Sequence, residues 1–206
     1  MANTNKNVKS FTKNLTMVAI LTAITVVLQI VALVSRPFLP FSITLSLFPI
    51  VIGAAKCGVK IGTWLGFVFG VTVLLSGDAA LFMSYSVIGT VITVIVKGTV
   101  AGACAGWIYR LFESKNKWIA AITASAIAPV VNTGIFFIGS AVFFFNDLTA
   151  FASTVGYDSF VSVMFGYMIG FNFIAEFAFN LIVTPVIYRV IDLGVGMADK
   201  KATERH

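Results

Sequence analysis

The chain has 206 residues, of which 59% are hydrophobic and 11% charged, with a mean hydropathy of +1.00. Soluble domains carry about 25% charged residues, so the composition excludes a soluble globular protein and defines an integral membrane protein. The net charge of +6 does not indicate nucleic acid, because the basic residues gather at the ends of apolar runs, as membrane topology requires.

Those runs exceed ten residues and do not alternate with a period of two, so helices rather than barrel strands are expected. At about 20 residues per span, the length fits an all-α membrane protein, a compact bundle of six transmembrane helices. The bundle is expected over residues 14–191, between cytoplasmic tails at 1–13 and 192–206.

The first tail is polar and basic, with Lys6, Lys9 and Lys13. Span one, 15–34, is too long for a signal-peptide core and lacks a clear cleavage site, so it is expected to be retained. It carries Ala19 and Ala23 four residues apart. Residues 35–42 hold Arg36, Pro37 and Pro40 and predict a loop. Span two, 43–55, is short, bends at Pro49 and ends at Lys56 and Lys60. Span three, 59–75, stops at the turn-forming Ser76-Gly77-Asp78.

Residues 79–84 predict a partial, re-entrant piece before span four, 85–109, and a charged loop at 110–117. Span five, 118–145, contains Pro129 and Asn132; a polar loop at 146–158 then leads to span six, 160–191. With both termini inside, the inner side holds Lys6, Lys9, Lys13, Lys56, Lys60, Arg110, Lys115, Lys117, Arg189, Lys200, Lys201 and Arg205. The outer side holds Arg36 with Asp78, Asp147 and Asp158. This asymmetry satisfies the positive-inside rule.

Lys97 belongs to neither side. It lies 13 residues before Arg110, Asn132 lies 14 after Trp118, and Glu176 lies 13 before Arg189. At about 1.5 Å per residue, all three stand roughly 20 Å above the basic rim, in the outward half of a core about 30 Å thick. Asn172, Glu176 and Asn180 recur every four residues and share one helix face.

A carboxylate at such depth costs roughly 2.5 kcal/mol or more unless it finds a partner or a wet cavity. Two readings follow: a structural Lys97–Glu176 pair with Asn132 bridging helices, or a polar pocket for a small solute, with Asn172 in its lining and Asn180 a structural contact. Pro129-Val-Val-Asn-Thr-Gly134 predicts either a break exposing backbone groups or a simple kink. Phe38, Phe41, Phe82, Tyr85 and Tyr157 lie at outer ends, as closing groups over a solute or as an interface belt.

Gly58, Gly62, Gly66 and Gly70 form a four-residue ladder in span three, and Gly98, Gly102 and Gly106 repeat it in span four. Such stripes let backbones approach closely, and internal packing of the bundle is the expected use. Cys57 and Cys104 have no metal-ligand spacing. The one histidine is the terminal His206, so neither a metal centre, a cofactor nor enzyme chemistry is expected.

Several segments together resemble a known family: Ala19-x-x-x-Ala23, Phe48-Pro-Ile-Val-Ile-Gly-Ala54, Gly58-Val-Lys-Ile-Gly-Thr-Trp-Leu-Gly-Phe-Val-Phe-Gly70, Lys97-Gly-Thr-Val-Ala-Gly102 and Pro129-Val-Val-Asn-Thr-Gly134. In order and over nearly the whole chain they look like the substrate-binding S component of energy-coupling factor (ECF) vitamin transporters. The resemblance implies six helices, a vitamin bound near the outer face, and assembly with a transmembrane coupling subunit and two ATPase subunits. It implies toppling in the membrane to release substrate, a partner-binding face at Ala19 and Ala23, and a gate at 35–42. The chain has no Gly-x-x-x-x-Gly-Lys-Ser/Thr phosphate loop, so ATP hydrolysis would fall to the partners.

The Pro-Val-Val-Asn-Thr-Gly segment looks most like members assigned to pantothenate or left without an assigned substrate. An anionic, hydroxylated, amide-bearing solute suits Lys97, Arg36 and Asn132, with Glu176 accepting a proton from a hydroxyl or amide. Folate, cobalamin, riboflavin and other vitamins stay open. A stand-alone proton-coupled transporter would need inverted repeats, which the halves do not display, and a scaffold protein would not need the charged level.

Overall fold

The computed structural model describes the backbone at residues 2–35 and 45–203, and side chains at 15–32, 45–190 and 192. All regular structure among the described residues is helical: α1 Ala2–Ser35, α2 Leu47–Cys57, α3 Val59–Leu75, α4 Ala80–Tyr85, α5 Val87–Glu113, α6 Lys117–Phe143, α7 Phe145–Thr154, α8 Phe160–Val163, a π-helical segment Met164–Ile169, and α9 Gly170–Thr203. Four stretches are long and apolar enough to cross a membrane: Leu15–Ala32, Val87–Glu113, Lys117–Phe143 and Phe160–Val190. The other two expected spans form shorter apolar helices of 11 and 17 residues, α2 and α3.

Apolar side chains cover the outside as well as the inside. Trp107, Ile138, Ile174 and Ile182 are all at least 62% exposed, the outward apolar surface of a protein solvated by lipid.

Several boundaries differ from the sequence reading, each for a local reason. Both tails are helical in part, since α1 begins at Ala2 and α9 continues to Thr203. Pro49 is the third residue of α2, where a missing N–H breaks no helical bond, so it does not bend the helix. The charged loop shrinks to residues 114–116, where Asn116 caps α6 by accepting from the N–H groups of Trp118 (2.8 Å) and Ile119 (3.2 Å).

The expected polar loop at 146–158 is largely a helix, α7, which buries Leu148 and Ala152 one turn apart and carries Asp147 in its first turn. Helix α6 runs unbroken through Pro129 and Gly134, so the proposed non-helical break is not there. Proline removes one rung of bonding to the Ser125 carbonyl but leaves the flanking turns intact. The unforeseen interruption lies in the last span, where Met164–Ile169 winds as a π-helix.

The glycine ladders interlock as α3 meets α5 antiparallel. A Cβ on Gly62 would lie 2.5 Å from the Gly102 carbonyl oxygen, and one on Gly70 would lie 2.9 Å from that of Val94. Gly66 and Gly98 pair between them in the same register. The absence of six side chains thus brings two backbones together, with dispersion as the attraction. At the corner between α2 and α3, Gly58 adopts φ +92°, and the Arg110 guanidinium fills the space a side chain would need.

Helices α5 and α6 pack together most extensively. Ala120, Ala121, Ala124 and Ala128 give α6 a thin face, and all four are fully buried. Trp118 against Tyr188 (5.0 Å between centroids) and Phe137 against Phe160 (5.6 Å) pin α6 to the last span near both ends. The result is a three-helix wall of α5, α6 and α9 with polar groups inside it.

Candidate functional site

The register of α5 on α6 is fixed by two contacts. Thr93 abuts Gly139, where a Cβ would come within 2.5 Å of the threonine hydroxyl. One turn further along α5, the Lys97 Nζ lies 4.8 Å from the centroid of the Phe136 ring and 6.0 Å from that of Phe69. A cation facing aromatic faces at these distances is stabilised by the ring quadrupoles, by about 2 kcal/mol when desolvated. Phe69 reaches Lys97 because α3 and α5 touch at Gly98, whose Cβ position is 3.0 Å from the Phe69 ring.

Asn132 lies one turn before Phe136 on α6, about 6 Å closer to the basic rim. It is 4% exposed, and its Oδ1 has no hydrogen-bond partner. From α9, Glu176 is 1% exposed. Its Oε1 accepts from Asn172 Nδ2 at 3.2 Å, and its backbone carbonyl accepts from Asn180 Nδ2 at 2.9 Å. Thr184 continues the column by donating to the Asn180 carbonyl at 3.0 Å. Lys97 interacts electrostatically with the Glu176 carboxylate, so the acid and the cation occupy one neighbourhood although they come from different helices.

Other polar atoms in the same wall are buried without partners: Thr93 Oγ1, Ser140 Oγ, Asn172 Oδ1, and Ser125 Oγ further inward. Each such orphan costs roughly 1–3 kcal/mol. Several together mark a place where water or a ligand supplies the missing bonds.

An aromatic group lies beside Lys97. Phe82 on α4 meets Phe136 edge-on at 5.1 Å, on the ring that Lys97 faces, and meets Phe144 at 5.4 Å. Tyr85, the last residue of α4, stands 6.5 Å from Phe144. Burial, aided by the Asp147 carboxylate, raises the Tyr85 pKa and keeps the phenol protonated. Tyr157 packs instead against Tyr167 and Gly166 of the π-helical segment.

Of the residues singled out from sequence, Lys97, Asn132, Asn172 and Glu176 therefore fall in or beside this wall, and Tyr85 joins the aromatic group next to it. Asn180 is fully buried and donates to the Glu176 carbonyl within its own helix, while its Oδ1 is buried without a partner. Ala19 and Ala23 are exposed on α1. Arg36, Phe38, Phe41 and all of the expected gate except Ser35 lie outside the described residues.

Sequence reasoning missed Thr93, Phe136 and Ser140. Four-residue spacing from Lys97 and Asn132 would have found the first two. It also missed a second polar cluster, in which Gln29 donates to Asp78 Oδ2 at 3.1 Å while Ser46 donates to Gln29 Oε1 at 3.4 Å and to the Thr25 carbonyl at 3.3 Å. These bonds tie α1 to the start of α2 and to the turn after α3. No group of metal-ligating side chains occurs among the described residues.

An all-helical chain clad in apolar side chains, with charge and amides held inside, is an integral membrane protein of the polytopic kind. The chain belongs to the ECF transporter substrate-specific component family, whose model matches residues 13–188. Proteins of that family are substrate-binding transporter subunits rather than enzymes. No curated protein and no solved structure matches the chain.

Proposed function

We propose that this protein is the binding subunit of an ATP-driven importer that captures a water-soluble vitamin, pantothenate, from outside the cell. It sits in the plasma membrane of a prokaryote as six spans with both termini cytoplasmic. The site is the α5–α6–α9 wall, and the observation that carries the reading is its donor and acceptor inventory. The wall holds one cation at Lys97, the Glu176 carboxylate that interacts with it electrostatically, and two unpartnered amide oxygens, on Asn132 and Asn172.

The set pairs an ammonium donor with a carboxylate and two amide acceptors, so the complementary solute brings one anionic end together with N–H and O–H groups of its own. Pantothenate has one carboxylate, one amide and two hydroxyls, with two methyl groups between them. The carboxylate pairs with Lys97, assisted by Arg36, while the hydroxyl and amide groups donate hydrogen bonds to Glu176, Asn132 and Asn172. The methyl groups lie against the aromatic cluster of Phe82, Tyr85 and Phe136. The Tyr85 phenol, protonated at neutral pH, donates at the rim.

Release needs a coupling subunit and two ATPase subunits, since the chain carries no phosphate loop of its own. Ala19 and Ala23, small and exposed on α1, suit close approach of a partner helix.

The deciding experiment is mass spectrometry of the small molecule that co-purifies with the detergent-solubilised protein. Pantothenate is the expected result. A different vitamin would correct the substrate and keep the class, and an empty protein that binds no vitamin in calorimetry would overturn both.

A further inference from the structure

The last span carries two buried stripes that are out of phase. Its outer part buries Phe160, Val163 and Met164, and its inner part buries Ile169, Glu176, Asn180, Thr184 and Ile187. At 3.6 residues per turn, the outer stripe continued inward would pass through Tyr167, Phe171 and Ile174. All three are instead at least 60% exposed. The inner stripe continued outward would pass through Phe165 and Val161, and these are exposed as well. One residue, or about 100° of rotation, separates the two stripes.

The π-helical turn Met164–Ile169 absorbs that residue. Its bonds reach five residues along the chain rather than four, so it holds one residue more than an α-helical turn. A regular helix in phase with Phe160 and Met164 would carry Asn172 and Glu176 about 100° away from the wall. The carboxylate would then leave its cation, at a depth where an uncompensated charge is costly.

Two glycines fit the turn. A Cβ on Gly170 would meet the carbonyl oxygen of Phe165, five residues back, so backbone already occupies the space of a side chain. Gly166 yields its space to the Tyr157 ring. Turns of this kind recur at functional sites. Here the turn ends three residues before Asn172, whose Nδ2 donates to Glu176 Oε1.

We propose that the π-helical turn is the positioning element of the site: the residue it inserts aims Asn172 and Glu176 into the wall, and Gly170 is the positioning residue that permits it. The inference rests on the reading of the α5–α6–α9 wall as the solute site, and it accounts for how that wall acquires its acid.

The test combines a substitution that opposes the turn with a deletion that makes it unnecessary. Gly170→Ala places a methyl against the Phe165 carbonyl. Deleting the lipid-facing Tyr167 brings both stripes into one α-helical phase. Pantothenate affinity by calorimetry and the thermal midpoint in detergent are measured for the native chain, both variants and their combination.

Gly170→Ala should bind at least about tenfold more weakly and unfold about 4 °C or more below the native chain. Were the turn incidental, alanine would be neutral or stabilising, since its helix propensity is higher. The deletion should bind within about threefold of native, and added to Gly170→Ala it should restore affinity and midpoint together. Native behaviour of Gly170→Ala would overturn the proposal, as would a folded deletion variant that has lost binding. A combination no better than Gly170→Ala alone would do the same, including where Gly170→Ala by itself does not fold. If the native chain binds no pantothenate, the substrate reading fails separately, and the four midpoints still decide whether the turn sets the register.

Discussion

Lys97 and Glu176 can be separated into structural and binding roles by a double-mutant cycle. Removing one member of a buried charge pair costs about 3–5 kcal/mol, because the survivor remains desolvated and uncompensated. Here the lower end applies. Lys97 is only partly buried and faces rings at 4.8 and 6.0 Å, whereas Glu176, at 1% exposure, is the more deeply buried partner. Lys97→Met and Glu176→Gln should each destabilise the protein by roughly 3 kcal/mol. The double variant, which keeps the volumes and carries no charge, should recover most of that loss.

Affinity should behave differently from stability. A hydrogen bond to a charged group contributes about 1.5–3 kcal/mol, so loss of the lysine–carboxylate contact should weaken pantothenate roughly 10- to 150-fold. The double variant should stay weak, since both ligand contacts are still missing. Thermal unfolding in detergent gives the first quantity and isothermal titration calorimetry the second. A double variant that recovers stability and affinity together would refute the reasoning, because Lys97 and Glu176 would then serve only each other.

The glycine ladder predicts a contrast between two alanines. Gly66→Ala, whose methyl meets the Gly98 backbone, should cost about 1–3 kcal/mol, whereas Gly134→Ala, with nothing within 4 Å, should be neutral or stabilising by up to about 1 kcal/mol; thermal unfolding distinguishes them. Ala19→Trp should abolish vitamin uptake in cells while the purified subunit binds as before, and loss of binding would place the alanines inside the fold's own packing. The raised Tyr85 pKa means that the fold favours the protonated phenol. Its contribution to stability is therefore complete below the unfolded value near 10 and is lost as pH rises through the higher folded value. An ultraviolet difference titration should show late tyrosine ionisation whose amplitude Tyr85→Phe lowers by one phenol.

Much of the architecture was legible because lipid leaves few options for an apolar chain. Span three, 59–75, coincides with α3, since Gly58 and Ser76 punctuate it on both sides. The ladders were readable as packing surfaces because glycine at every fourth position bares one stripe of backbone, at a cost in helix propensity that close packing offsets. Helix α7 was missed because Asn146, Asp147 and Thr149 read as loop, while the two apolar positions that hold it down, Leu148 and Ala152, are too few to form a pattern. The π-helical turn has no periodic signature; Gly166 fits there because the Tyr157 ring occupies the space of a side chain, and that ring comes from outside the helix.

The candidate site divides in the same way. Counting residues from basic helix ends gave Lys97, Asn132 and Glu176 a common expected depth, because helical rise is a property of the backbone alone. Counting could not give their azimuth. That Lys97 faces Phe136, that Phe82 lies on the same ring, and that the Asn132 oxygen is left without a partner depend on how α3, α4, α5 and α6 meet.

Sequence by itself settled the solvent and the helical class, both consequences of composition and of the few structures that lipid allows an apolar chain. Which side chains share a neighbourhood was decided by tertiary structure, because rotation about each helix axis is set by contacts between residues distant in the chain.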